Sequence, residues 1–234
     1  MQTGMQSIPI KTGGMKTVYY GQDGAMLYGK QKIGEKYYYF HLRTGAMQHG
    51  EQRIDGKWCY CDEKTGELWI GLQTITMRNG QKKTVYYDTE GNMHYGEQHV
   101  DGKWYLFDGR TGAMQTGLIE IKDSVWGFYG ADGKQIPMID AKTAIDAAHE
   151  FFKETISDED LEIIKGHYVQ YLAAEPEMVD GHSNPQYYIY AIVTEDDADF
   201  DENTDEDDVI YGDVIRVDAV TKECVYDTDV SGID

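Results

Sequence analysis

Three cysteines in 234 residues give no basis for a disulfide framework. Cys59 and Cys61 stand two apart on one extended run, pointing the same way but too far apart for an easy bond. They read as small apolar substitutes where matching runs carry Tyr38/Phe40 and Tyr105/Phe107. A Cys-x-Cys metal site needs further ligands, and no His or Cys follows at ligand spacing. No apolar run approaches the roughly 18 residues of a membrane span, and no charged-then-apolar leader opens the chain. Phosphate-loop, GxSxG, HExxH and GxGxxG motifs are missing. The seven histidines are scattered, and His94 and His99 do not share a strand face, which argues against metal ligation.

Positive charge is short in one part of the chain only. Residues 1–137 hold 16 Lys/Arg against 15 Asp/Glu, whereas residues 138–234 hold 5 against 27. This asymmetry predicts a domain boundary near Pro137 and speaks against a nucleic-acid partner, since phosphate binding needs a basic face. Residues 195–208 read as a solvated loop between two strands. The sharper alternative there is a weak Ca²⁺ site, because Asp197, Asp199, Asp201 and Asn203 alternate as hard oxygen ligands would.

What is abundant is glycine, 26 residues, and it is periodic. A turn glycine recurs at Gly24, Gly45, Gly66, Gly91, Gly112 and Gly133. Met26, Met47, Leu68, Met93 and Met114 each follow it by two residues. A shift of 67 residues lays KTVYY (16–20) on KTVYY (83–87) and RTGAMQ (43–48) on RTGAMQ (110–115), so the unit is a triplet of hairpins, one long and two short. Each copy runs an aromatic strand into an Asp/Glu/Thr-Gly turn, followed by a Gln-x-Ile/Val strand and a second turn. Such hairpins are unstable alone and must stack. The fold predicted for residues 1–136 is a β-hairpin solenoid of about six repeats, so the chain is mainly β.

From Asp140 the period becomes helical, with Ala141, Ala144, Ile145, Ala148, Phe151 and Phe152 on one face. Ser157–Asp160 ends this helix or starts a short second one. Strand-like runs follow at 167–172, 186–194, 209–217 and 224–226, predicting a small α+β domain over residues 137–234 with a helix on an antiparallel sheet.

The pattern aromatic-Tyr-Tyr-x-x-x-x-Gly-x-Met-x-x-Gly resembles the cell-wall-binding repeats of choline-binding and glucan-binding proteins and the oligopeptide repeats of large clostridial toxins. The resemblance implies a non-catalytic, extracellular, wall-associated module. It would hold wall polymer or glycan in grooves between hairpins, with Tyr28, Trp58, Trp69, Tyr95, Trp104 and Trp126 as candidate ligand faces and no cofactor. Choline-binding repeats carry Trp after the Gly that closes the Met segment; here Lys30, Glu51, Leu72, Glu97 and Leu118 stand there. Losing an aromatic wall from each cage predicts weak choline binding. Alternating Tyr with Gln and Glu suits sugars instead.

Residues 217–224 resemble the closing hairpin of PepSY-type domains, with Val217-Asp218-Ala219 and Thr221 matching and Lys222 in place of the usual Gly. That implies an alternative function, a protein-interaction or peptidase-inhibitor module positioned by structural repeats. Met1-Gln2-Thr3-Gly4 repeats Met114-Gln115-Thr116-Gly117. The expectation is therefore a fragment that opens inside a repeat, its export signal lying upstream. Its first hairpin is expected to fray or to self-associate through Met5, Ile8 and Ile10.

Overall fold

The computed structural model describes residues 2–77, 79–165, 167–194 and 209–227. The chain divides into two compact units, residues 1–115 and 116–234. Both are built mainly from antiparallel strands. Among the described residues no helix is long and apolar enough to cross a membrane.

The first unit is a succession of small antiparallel sheets. β1 (Gly4–Pro9) pairs with β2 (Met15–Tyr20), β3 (Gly29–Ile33) with β4 (Lys36–Phe40), and β5 (Gly50–Ile54) with β6 (Lys57–Cys61). β7 (Gly71–Thr76), β8 (Lys82–Tyr87) and β9 (Met93–His94) form one three-stranded sheet, and β10 (Gly96–Val100) pairs with β11 (Lys103–Phe107). Turn chemistry separates long hairpins from short ones. Asp55-Gly56 and Asp101-Gly102 both hold positive φ, the two-residue turn whose twist suits a tight hairpin. β1–β2 and β7–β8 instead close through longer loops.

Neighbouring hairpins are joined by main chain as well as by packing. The amide of Met47 donates to Thr17 O at 2.7 Å, Leu68 to Tyr37 O at 2.8 Å and Met114 to Thr84 O at 2.8 Å. The segments bearing Met47, Leu68 and Met114 therefore hydrogen-bond to the aromatic strand of the preceding hairpin. Its side chain then covers the next turn. A Cβ built on Gly66 would meet Met47 Sδ at 2.6 Å, one on Gly91 would meet Leu68 Cβ and Cδ2 at 2.8 Å, and one on Gly112 would meet Met93 Sδ at 2.6 Å. The inward strand residues Val18, Phe40, Val85, Tyr87, Tyr105 and Phe107 are buried beside this seam. Cys59 and Cys61 are buried and unbridged, packed with Ile54 and Leu68, and burial pushes the Cys61 thiol up to about 12.

The second unit starts with a hairpin of the same type, β12 (Gly117–Lys122), β13 (Val125–Tyr129) and β14 (Gln135–Ile136). This hairpin thus belongs to the same compact unit as the acidic region, while Pro137 marks the change from hairpin to α+β architecture. α1 (Ala141–Thr155) starts at Asp140, whose carboxylate accepts from Thr143 N at 2.8 Å, and buries Ala144, Ala148 and Phe152. α2 (Asp158–Ile164) is a separate short helix capped by Ser157. The helical face packs on a four-stranded antiparallel sheet of β15 (Tyr168–Ala173), β16 (Gln186–Thr194), β17 (Val209–Asp218) and β18 (Cys224–Tyr226), centred on Ile189, Ala191, Ile215 and Val217.

The β17–β18 turn is organised by Asp218. Its Oδ1 accepts from Val220 N at 2.8 Å and Thr221 N at 2.7 Å, and Oδ2 accepts from Asn184 Nδ2 at 3.0 Å. This network gives Val-Asp-Ala-x-Thr a local physical cause. Lys222 adopts φ 67°, a left-handed conformation that favours glycine.

Two stability changes follow. Gly91→Ala combines backbone strain with a collision against Leu68 and should cost about 2–4 kcal/mol in denaturant unfolding. Gly56→Ala, with open space around the added carbon, should cost only about 1–2 kcal/mol. Equal losses at the two sites would show that the Gly–Leu contact is not a packing constraint. Lys222→Gly should stabilise the second unit by about 1 kcal/mol through relief of the left-handed backbone, and a neutral or negative effect in the same assay would remove that account.

Candidate functional site

Each repeat turn of the first unit is tied by a side chain that accepts backbone N–H groups. Asp62 Oδ1 accepts from Lys64 N at 2.9 Å, Thr65 N at 2.8 Å and Thr65 Oγ1 at 3.2 Å. Asp108 repeats this with Arg110 and Thr111, and His41 fills the role through Nδ1, accepting from Arg43 N and Thr44 N. Asp62 does one thing more: its Oδ2 accepts the indole N–H of Trp69 at 3.3 Å.

That bond fixes the edge of Trp69 and leaves its ring to stack on Tyr60, centroid to centroid at 4.1 Å and tilted by 30°. Tyr60 lies opposite Glu51 across the β5–β6 pair and donates its hydroxyl to Glu63 Oε1 at 3.1 Å. Burial raises the Tyr60 pKa, and the bond to Glu63 raises it further. Beneath the pair, Tyr60, Trp69, Ile75 and Tyr95 pack against buried Val85, Tyr87 and Met93. The result is a groove of about 720 Å³ in which Glu51, Tyr60, Asp62, Glu63 and Trp69 meet Lys64 and Lys83. Lys83 is already committed, donating to Thr111 O at 2.6 Å. An aromatic floor with carboxylates at its margin is equipped to stack a ring and to accept hydrogen bonds from it.

The six aromatic residues singled out in the sequence do not converge. Trp69 and Tyr95 join the cluster just described. Trp58 and Trp104 sit near hairpin tips, 38% and 48% exposed, each across the strand pair from a basic or imidazole side chain. Arg53 lies 5.8 Å from the Trp58 ring, and His99 is 4.9 Å from Trp104. Tyr28 is 43% exposed, beside the Gly45 turn. Trp126 lies in the second unit. Tyr60, Asp62 and Glu63, which complete the groove, were not singled out. Their signal was available in Asp62-x-x-Thr65, the same turn motif as Asp108-x-x-Thr111. Asp197, Asp199, Asp201 and Asn203 lie outside the described residues. Among the described residues, no three His, Cys, Asp or Glu side chains converge as metal ligands would.

Comparison with known proteins places one part of the chain. Residues 28–72 match the choline-binding repeat family. That stretch includes Glu51, Tyr60, Asp62, Glu63 and Trp69. No curated protein matches the chain. Among solved structures, the chain is similar to choline binding protein F from Streptococcus pneumoniae, with 27% identity over 60% of this chain and 44% of that one and a TM-score of 0.46. It is also similar to CbpJ from Streptococcus pneumoniae TIGR4, with 25% identity over 59% of this chain and 44% of that one and a TM-score of 0.45. A pneumococcal cell wall endolysin from phage Cp-1, complexed with choline, aligns at 20% identity over 58% and 38%, with a TM-score of 0.34. The chain thus spans less than half the length of these structures.

The Asp62 bonds carry a pH signature. The donors, Thr65 N first, then Lys64 N and Trp69 Nε1, hold its carboxyl at about 2, below the ordinary 3.8. A depressed folded pKa contributes stability that is present above the unfolded value and lost as pH falls through the folded one. Acid titration followed by Trp fluorescence should therefore show the loss between pH 3.8 and about 2. Asp62→Asn should shrink the pH dependence in that window, and an unchanged profile would show that Asp62 does not anchor Trp69.

Proposed function

We propose that the hairpin repeats form a solenoid that holds a wall polymer or glycan at the bacterial surface, and that the module performs no chemistry. The carrying observation is the Tyr60–Trp69 pair, pinned by Asp62 and bordered by the carboxylates of Glu51 and Glu63. A sugar ring presents C–H faces to aromatic rings and hydroxyl groups to carboxylates, and this groove offers both partners side by side. The match of residues 28–72 to the choline-binding repeat supports attachment as the role of the unit.

The ligand group is a separate matter from the family match. Glu51 lines the groove at a position where choline-binding repeats carry Trp, and Leu72 and Leu118 stand at equivalent positions. A quaternary ammonium has no N–H to donate and depends on several aromatic faces together. The carboxylates here would attract either ligand, a cation by charge and a sugar through its hydroxyl groups. The preference for a sugar therefore rests on the aromatic faces, of which, among the described residues, this groove offers only Tyr60 and Trp69.

Co-sedimentation of the full chain with purified cell walls, alongside a glycan array, tests the reading. Retention should fall at least about tenfold for Trp69→Ala, with far-ultraviolet dichroism confirming the fold, and choline should not compete. Failure of the folded wild-type chain to bind walls or any glycan overturns the proposal. Release by millimolar choline would replace the glycan with a choline group.

A further inference from the structure

The sheet of the second unit ends on two unlike edges, β15 on one side and β18 on the other. β18 is only three residues long and runs straight into Asp227, which blunts that edge against further pairing. β15 is built differently. Its six residues, Tyr-Val-Gln-Tyr-Leu-Ala, carry no charge, proline or glycine, and they pair with β16 in unbroken register. The length, charge, proline and bulge devices that protect an edge strand are all missing from it.

The free side of β15 follows from its pairing. Ala174 N donates to Tyr188 O at 3.0 Å, so in this antiparallel pair the backbone groups of Leu172 and Gln170 turn towards β16. Those of Val169, Tyr171 and Ala173 turn the opposite way, and among the described residues no backbone partner meets them. Donors and acceptors in a row at strand spacing are what recruits an added strand. Side chains on both faces can continue the packing. Leu172 is exposed on the face away from α1, and on the α1 face the His149 ring lies 4.8 Å from that of Tyr171.

Charge around this edge selects the partner. Residues 138–234 hold 5 Lys/Arg against 27 Asp/Glu. The helix lysines Lys142, Lys153 and Lys165 already face Asp146, Glu150 and Glu162. Just past β15 the chain borders a concavity of about 700 Å³ that Glu175 and Asp140 line, with no Lys, Arg or His among its described lining residues. A second copy pairing β15 on β15 would bring two acidic surfaces together, which like charge opposes. A cationic strand meets the opposite situation.

We infer that β15 takes an extended peptide segment bearing lysine or arginine as a fifth strand of the sheet, with one cationic side chain reaching the concavity beside Glu175 and Asp140. The site belongs to the second unit and does not rest on the wall-binding reading.

The test titrates the full chain, labelled at its backbone amides, with a capped hexapeptide alternating Lys and Val. Two companion peptides are run beside it. One has the same sequence N-methylated throughout, which removes its donors and keeps its charge; the other alternates Glu and Val. The Lys/Val peptide should bind with a Kd at or below about 1 mM, and at saturation should slow amide exchange at Val169, Tyr171 and Ala173 at least about tenfold. Each companion should bind at least about tenfold more weakly. Ala173→Pro removes one outward N–H at an edge position that tolerates proline, and should weaken binding by about threefold to tenfold. The N-methylated arm decides the question on the unaltered chain should that variant not fold. Unchanged exchange at the three amides overturns the inference. Equal binding of the N-methylated peptide overturns strand addition, and equal binding of the Glu/Val peptide overturns the cationic partner. Protection of the same amides by dimerisation of the chain alone would hand the edge to a second copy and overturn the peptide as its occupant.

Discussion

A methionine or leucine lying on a bare glycine is the contact on which the first unit depends. Met47 on Gly66, Leu68 on Gly91 and Met93 on Gly112 each leave no room for a Cβ. The glycine is demanded twice, once by its left-handed backbone and once by the side chain above it. The residue above is demanded because its own amide bonds to the preceding hairpin, as for Met47 with Thr17 and Leu68 with Tyr37. Turn, seam and strand pairing are therefore one device. Its repetition at nearly fixed spacing is a consequence, because each hairpin must present the same two surfaces to its neighbours.

This coupling explains which features could be read from the chain and which could not. The Gly-x-Met register, the Asp-Gly hairpin turns, the helix face and its Asp140 cap are local, so residue type and spacing report them directly. The Tyr60–Trp69 stack is also short-range, yet it went unread, because Tyr60 sits between two cysteines in a strand whose other copies suggested only core. Trp69 and Tyr95 share a cluster for a different reason: the hairpins they follow pack together, and periodicity names repeats without stating which side chains touch. The grouping of β12–β14 with the acidic region was invisible as well. Charge composition changes at Pro137, but the compact units divide after Gln115. Composition records what a segment is made of and not what it packs on.

The turn carboxylates show how one motif acquires a second use. Asp108 satisfies its turn and stops there, while Asp62 satisfies the same turn and also accepts from an indole. The additional bond needs only that Trp follow Leu68, where Gln115 follows Met114 in the copy closed by Asp108. A structural residue thereby becomes a positioning residue without any change in its own neighbourhood. Among the described residues the indole N–H of Trp126 has no such partner.

The repeats consequently supply scaffold rather than copies of a site. Advancing by the 67-residue unit carries Glu51 to Leu118, Tyr60 to Gly127 and Trp69 to Ile136, so no member of the groove survives the shift. At Gly127 a Cβ would meet Ile121 Cδ1 at 2.8 Å and the Tyr129 ring at 3.0 Å, so an aromatic there would require those side chains to move. An array of identical sites raises avidity in proportion to how many can be engaged together. In the proposed reading, a groove whose members the repeat does not carry forward relies on its own contacts, which is why Trp69 is the aromatic chosen to test it.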